Sequence, residues 1–282
     1  MVVFPNVKIN LGLNVLFKRP DGYHELTTGM VGVDWCDVLE VVPANADCDS
    51  LVTSGIEVKC PPEKNLVFKA LQKVRNYVPH YIPPLDVFLH KNVPDGAGLG
   101  GGSSDAAFMI KLLNVLFDLK LSVSEMCEIA SQIGCDCPFF IENRPAFAKG
   151  RGEILTSADT FYKVLKNYKV VIAKPREISI PTALAYSGIS PNNNITPLET
   201  VIESSVNEWH KTLKNDFEHS VFPNAPVCKE LKMMMYECGA LYAAMSGSGS
   251  AVYGIFEENK IEKHNFNSLF SDCFVHVGNF LI

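Results

Sequence analysis

Five of the seven residues from Gly96 to Gly102 are glycine, and that run is the strongest chemical signal in the chain. Ordering glycine costs more backbone entropy than ordering any other residue, so a bare connector explains five of them poorly. Glycines let backbone N–H groups approach a ligand closely. Ahead of a helix, those donors and the positive end of the helix dipole form an anion site. The stretch from Gly96 to Gly101 matches G-x-G-x-x-G. A dinucleotide fold, however, needs a further strand after the helix, ending in an acid about 20 residues on. Asp118 has about that spacing, yet it is followed directly by another helix start at Ser122. A Walker loop fails because Ser103-Ser104 follow the glycines with no Lys. A protein-kinase layout would need H-R-D and D-F-G motifs, and neither occurs. What remains is a phosphate-binding design of strand, P-x-x-x-G-L-G-G-G-S-S from Pro94 to Ser104, and helix.

The flanking elements must hold that loop. Val7, Ile9 and Leu11 alternate with Lys8, Asn10 and Gly12, and Leu13, Val15 and Phe17 continue the apolar set, so a strand is expected. Arg19 to Gly22 reads as a turn, Tyr23 to Val33 as a second extended stretch and Val38 to Val42 as a third. From Pro62 the period becomes helical, with Leu66, Val67, Ala70, Leu71 and Val74 on one face. Residues 85–91 alternate again and lead into the glycines. Behind them Ala107, Ile110, Leu113, Asn114 and Phe117 follow a helical pattern, with Ser103, Ser104 and Asp105 available as N-cap or first-turn residues. Ser122 and Glu125 form a capping box for the next helix, which the pattern carries through Ile133 to a stop at Gly134. A strand-like stretch around 146–155, a loop from Gly188 to Thr196, helical segments near 197–213 and 226–238, and a strand at 251–256 follow. Strands and helices mix without strict alternation, which favours α+β, with one soft boundary near residue 155 between segments 1–155 and 156–282.

The 282 residues fit one large domain or two, and 47% hydrophobic with 20% charged residues is ordinary for a globular chain. Lys plus Arg number 25 and Asp plus Glu 31, a net charge of −6 with no long basic run, which disfavours nucleic-acid and anionic-membrane partners. The longest uncharged stretch, Cys238 to Phe256, holds four Gly and three Ser among 19 residues and is a poor spanning helix. The first residues carry no basic region or cleavage pattern and read as a mature first strand. Nine scattered cysteines argue for reduced, packing thiols and a cytosolic compartment.

Three stretches in order now carry a resemblance. P-N-V-K-I-N-L-G-L-N-V (Pro5 to Val15), the glycine loop, and M-S-G-S-G-S-A-V-Y-G-I-F (Met245 to Phe256) resemble the three motifs of the GHMP kinases, small-molecule kinases named for galactose, homoserine, mevalonate and phosphomevalonate. R-P-D-G-Y-H-E-L (Arg19 to Leu26), G-C-D-C-P-F-F (Gly134 to Phe140), G-R-G-E (Gly150 to Glu153) and N-D-F-E (Asn215 to Glu218) resemble the branch whose acceptor is a cytidyl-bearing methylerythritol of the non-mevalonate isoprenoid route. The departures are Asn6-Val7 before Lys8, Ala97 within the glycines, and Cys135 and Cys137 around Asp136.

The resemblance implies a two-domain GHMP fold with its active-site cleft between the domains. It also implies transfer of phosphate from ATP, with Mg²⁺ on the phosphates, to the acceptor 2-hydroxyl. Asp136 would take the proton of that hydroxyl, with Lys8 paired to it. On the residues alone, Asp136 reads equally as a cap in a helix-to-strand turn, and Lys8 as the solvent face of its strand. Asn10, Tyr23, His24 and Tyr186 would bind the acceptor, the rings clamping the cytosine. Asn65 and Lys91 would lie on the adenine side of ATP, although Asn65 also suits a helix start. Pro94, Gly96, Gly98, Leu99, Gly100, Gly101, Gly102, Ser103 and Ser104 would hold phosphate, and Gly247, Ser248 and Gly249 would close on the substrate or simply turn the chain. No spacing assigns a metal ligand. Rival readings are a GHMP kinase for homoserine or a mevalonate-like acceptor, and a catalytically silent nucleotide-binding protein. Retention of both Lys8 and Asp136 weighs against the second.

Overall fold

Beside the two-residue β1 (Val2–Val3), the chain opens with β2 (Asn6–Lys18), turns at Arg19–Gly22 and returns as β3 (His24–Cys36), followed by β4 (Val38–Pro43) and β5 (Ser50–Gly55). The turn closes where Gly22 N donates to Arg19 O at 3.1 Å and Arg19 N to Tyr23 O at 2.8 Å. Later come β6 (Leu85–Lys91), β7 (Ala146–Lys149), β8 (Ile154–Ser157), β9 (Tyr168–Pro175), β10 (Tyr242–Met245), β11 (Val252–Glu257) and β12 (Cys273–Leu281). This is a computed structural model, and it describes residues 1–79, 81–193 and 195–282. The expected loop from Gly188 to Thr196 is irregular where described, and its Asn194 lies outside the described residues.

Backbone contacts sort the chain into two units. The first comprises Met1–Val7, Trp35–Asp95 and Gly100–Asn143, the second Lys8–Asp34, Gly96–Leu99 and Arg144–Ile282. The sequence reading places a single boundary near residue 155; here the chain changes unit inside β2 and again inside the glycine run.

The first unit carries a four-stranded sheet in the order β1-β4-β6-β5, with β5 parallel to β6 and the other neighbours antiparallel. Helices Leu66–Tyr77, Gly101–Leu116, Val123–Ser131 and Cys137–Glu142 accompany it. The helical face read from Leu66 onward is realised, with Val67, Ala70, Leu71 and Val74 fully buried. Each such Val or Leu contributes about 1.5–3 kcal/mol relative to exposure. Strand alternation buries Leu85, Val87, Leu89 and, on the same face, Lys91.

The second unit carries an eight-stranded sheet among the described residues, in the order β10-β11-β9-β12-β3-β7-β8, with β2 paired to β3. Leu13, Val15, Val171, Ala173, Phe217, Met235 and Phe256 belong to its hydrophobic core. β2, β3 and β11 follow the expected segments, and β9, β10 and β12 add three that the sequence reading left unassigned.

Several local expectations change. The helix after the glycines starts at Gly101, and its N-cap is Gly100 in the left-handed region (φ 72°), so Ser103 and Ser104 lie in the first turn and neither caps. The capping box of Ser122 with Glu125 is present, but the helix ends at Ser131, before Gly134. Asp136 precedes a second helix, Cys137–Glu142, and so sits in a helix-to-helix turn; Pro138 favours that helix start because its missing N–H lies among the donors a helix leaves unpaired. The single helical segment near 197–213 is broken into Leu198–Ile202, Val206–Glu208 and Trp209–Thr212. All nine cysteines are thiols, but Cys48 and Cys60 are exposed, so those two are not packing residues.

Candidate active site

Lys8 does not lie on a solvent face. It is 3% exposed because β2 is buried on both sides over its first half, and a buried ammonium needs acceptors. In the second unit Lys8 Nζ donates to Asn10 Oδ1 at 2.5 Å and to Gly98 O at 3.1 Å. Asn10 Nδ2 donates to Thr28 Oγ1 at 3.0 Å, and Thr28 Oγ1 donates onward to Gly12 O at 2.5 Å. Gly98 O also accepts from Ser246 Oγ at 2.9 Å, and Ala251 N donates to Ala97 O at 3.1 Å. Lys8, Asn10, the Gly96–Leu99 half of the glycine run and the Met245–Gly249 loop are thus one hydrogen-bonded group.

In the first unit the other half of the run opens the helix Gly101–Leu116 with no side-chain cap, which leaves its first-turn donors to a ligand or solvent. Asn65 is the N-cap of the helix Leu66–Tyr77, its Oδ1 accepting from Val67 N at 2.9 Å, so the helix-start reading of Asn65 holds. Ser104 Oγ is buried without a hydrogen-bond partner among the described residues. Asp136 is half-buried, has helical backbone angles (φ −83°, ψ −15°) and makes no side-chain cap to the helix it precedes. Beside it, burial pushes the Cys137 thiol up to about 12, so that neighbour is an inert thiol at neutral pH.

Lys91 sits in a buried cluster. Its ammonium donates to Asp37 Oδ2 and, at 2.8 Å, to Asp105 Oδ2. Asp37 Oδ1 accepts from Asn92 N at 2.7 Å and Val93 N at 2.9 Å, whereas Asp105 Oδ1 has no partner among the described residues. Burial pushes the Asp105 carboxyl up to about 7; Lys91 opposes this, and the charges of Asp37 and Asp95 add to it. An acid raised from its ordinary value near 4 holds its proton in the folded state where the unfolded chain has lost it. Asp105 therefore makes stability fall as pH rises from about 4 to about 7. Asp105→Asn keeps an oxygen for Lys91 and removes that titration. Melting temperatures of both proteins between pH 5 and 7.5 should show the variant gaining on the wild type as pH rises; a pH-independent difference would refute the assignment.

The aromatic residues also gather in the second unit. His24 stacks on Tyr186 with centroids 4.9 Å apart at 19°. The Arg151 guanidinium lies 4.9 Å from the centre of the Tyr23 ring, which is 57% exposed. Glu25 joins the two stretches: its Oε1 accepts from Gly150 N and its Oε2 from Arg19 Nη1, both at 2.9 Å. R-P-D-G-Y-H-E-L and G-R-G-E therefore form one platform that presents Tyr23, His24 and Arg151.

Sequence reasoning singled out neither Asp37 and Asp105 as partners of Lys91 nor Thr28 and Ser246 as partners of Asn10 and Gly98. The alternation of β6 carried the signal for the first, since it puts Lys91 on the apolar face, where a charge must be paired.

Two family descriptions match the chain in order: GHMP kinases N terminal domain over residues 65–144 and GHMP kinases C terminal over residues 198–264. A 4-diphosphocytidyl-2-C-methyl-D-erythritol kinase of Parabacteroides distasonis is 48% identical over 278 residues, covering 99% of this chain and 99% of that protein. A protein of the same name from Porphyromonas gingivalis is 44% identical, covering 97% of each. A crystal structure of 4-(cytidine 5'-diphospho)-2C-methyl-D-erythritol kinase, 30% identical, superposes with a TM-score of 0.83 over 99% of both chains. A mevalonate kinase structure at 14% identity and TM-score 0.69 shares the fold. Matches of this extent, along a chain whose three motifs stand in the family's order, place it among the GHMP kinases.

Proposed function

We propose that the protein transfers the γ-phosphate of ATP to the 2-hydroxyl of 4-diphosphocytidyl-2-C-methyl-D-erythritol, giving the 2-phosphate and ADP. The observation that carries this reading is identity of 44–48% along nearly the whole chain to relatives bearing that one name. The platform of Tyr23, His24, Tyr186 and Arg151 supports it, because flat rings and a guanidinium suit a pyrimidine base better than they suit a small aliphatic acceptor.

In this reading Asp136 accepts the hydroxyl proton and Lys8 holds the acceptor oxygen, with Asn10 beside it. Pro94, Gly96, Gly98, Leu99 and Gly100 to Ser104 surround the phosphates, and Gly247, Ser248 and Gly249 close on the substrate. Asn65 and the strand end at Lys91 flank the adenine. The Lys91 ammonium is committed to two carboxylates, so its part is to place the start of the helix Gly101–Leu116. Catalysis of phosphoryl transfer rests mainly on positioning and on stabilising charge, which fits a site built from backbone donors. Mg²⁺ is usually held by substrate phosphates with one or two protein groups. Among the described residues no group of three or more His, Cys, Asp or Glu side chains is arranged to hold a metal ion. Among them, too, no helix is long and apolar enough to cross a membrane. Nine thiols fit a reducing, cytosolic setting. The division into 1–155 and 156–282 has in its support that residue 155 falls between the two matched regions, 65–144 and 198–264, although the compact units interleave along the chain.

The test is ADP release from Mg-ATP with the cytidyl acceptor and with the same acceptor stripped of its cytidyl group. The stripped compound should lose at least about 10²-fold in kcat/KM, as expected when buried or stacked recognition groups are left without their partner. Equal turnover of both would overturn the role of Tyr23 and His24. Turnover of homoserine or mevalonate alone would replace the acceptor.

A further inference from the structure

The segment Asn215 to Glu218 has no part in the chemistry described above, yet each of its four side chains is committed. Asn215 is 3% exposed; its Nδ2 donates to Met245 O at 2.7 Å and Gly247 O at 2.8 Å, and its Oδ1 accepts from Phe217 N at 3.0 Å. Both amide hydrogens are thus spent on the backbone of the third glycine loop. Glu218 Oε1 accepts from Met245 N at 2.9 Å, and its Oε2 accepts from Lys232 Nζ at 2.6 Å. Asp216 Oδ2 accepts from Val15 N at 2.8 Å, and its backbone N donates to Leu13 O at 2.8 Å, which docks the segment onto β2. Phe217 meets the Tyr186 ring edge-on, centroids 4.8 Å apart, on the ring that also stacks with His24.

We infer that Asn215, Asp216, Phe217 and Glu218 act together as the positioning element of the acceptor side of the site. Asn215 and Glu218 set where the Met245–Gly249 loop stands, while Asp216 and Phe217 register the same segment against the strand bearing Lys8 and Asn10 and against Tyr186. The clearance at the loop tip explains why position matters: a Cβ built at Gly247 would lie 3.2 Å from both Asn10 Oδ1 and Gly98 O. A loop displaced by an ångström moves the partners of Lys8 and Asn10 with it. A buried amide holding two carbonyls cannot be replaced by a carboxylate of the same shape, because the two carbonyl oxygens would then face an acceptor with no hydrogen to give.

The inference rests on the kinase reading for its consequence and not for its geometry, and Asn215→Asp separates the two. Hydrogen exchange at the amides of Ser246, Gly249 and Ala251, which donate to Ala251 O, Ser246 O and Ala97 O, should quicken by at least about tenfold, with other strands unchanged. Turnover should fall on the order of 10²-fold, with the KM for ATP nearly unchanged, the size expected for a misplaced reacting group. Unchanged exchange at those amides in a folded variant overturns the inference, as does quickened exchange with full turnover. Should Asn215→Asp fail to fold, Glu218→Ala, which removes only the acceptor for Met245 N and the partner of Lys232, carries the same two readouts. A wild-type protein without turnover on the cytidyl acceptor would sink the functional reading and leave exchange to decide the positioning.

Discussion

Asp136→Asn is expected to lower kcat by about 10²–10⁴-fold, the usual worth of a positioned general base, while ATP binding measured at equilibrium stays within a few-fold of wild type. The carboxylate is placed by rigid neighbours. Gly134 and Cys135 bring the chain out of one helix, and Cys137 to Ile141, all buried, start the next. Its backbone is already helical, so the side chain is not spent on a cap, the commonest structural use of an Asp at such a position. Asn keeps size and hydrogen-bonding shape and removes only the ability to accept a proton. Near wild-type turnover by Asp136→Asn would show that positioning and charge carry the reaction without a base, which phosphoryl transfer makes the natural alternative. Loss of ATP binding together with turnover would instead mark Asp136 as a structural residue.

The second large effect is expected at Gly98. Its φ of 74° lies in the left-handed region, and a Cβ there would stand 1.9 Å from Ser246 O and 2.8 Å from Ser246 C. Those are backbone atoms and cannot rotate away, so Gly98→Ala must push the two loops apart and break the bond from Ser246 Oγ to Gly98 O. The left-handed conformation alone costs about 1–2 kcal/mol for a residue with a Cβ. With the displacement added, turnover should fall on the order of 10²-fold. Gly96→Ala is the internal control. Its φ is 61°, so it carries the same conformational cost, but the Cβ meets only Ser179 Oγ, at 2.9 Å, a side chain that can turn aside. Kinetics and thermal melting of both variants side by side check the argument. Equal losses would mean that glycine is needed at these positions for backbone freedom alone.

Much of the fold was legible because strands and helices write their period into consecutive residues. The alternation from Val7 to Phe17, the face from Val67 to Val74 and the Ser122 capping box each became the element they imply. Two of the errors share one cause. The sequence reading extended the helix from Ser122 to Gly134 and joined 197–213 into one segment, because an apolar period continues past the point where the backbone turns. Ser103 and Ser104 have the right chemistry for an N-cap, but the glycine run already supplies a left-handed residue at Gly100, and the helix starts there.

The candidate site divides along the same line. Residue types and spacing alone pointed to a phosphate-binding loop between strand and helix and excluded the dinucleotide, Walker and protein-kinase designs, while the resemblance to the GHMP kinases picked out Lys8, Asp136, Tyr23, His24 and Tyr186. Each of those inferences uses residues close in the chain or motifs in a fixed order. Only the tertiary structure decided that Lys8 is buried among Asn10 and Gly98, that Asp37 and Asp105 share the charge of Lys91, and that Asn215 and Glu218 hold a loop some thirty residues further on. Partners far apart in sequence leave no local periodicity, because the free energy that selects them, the cost of burying a charge or an amide unpaired, arises only when folding removes the water.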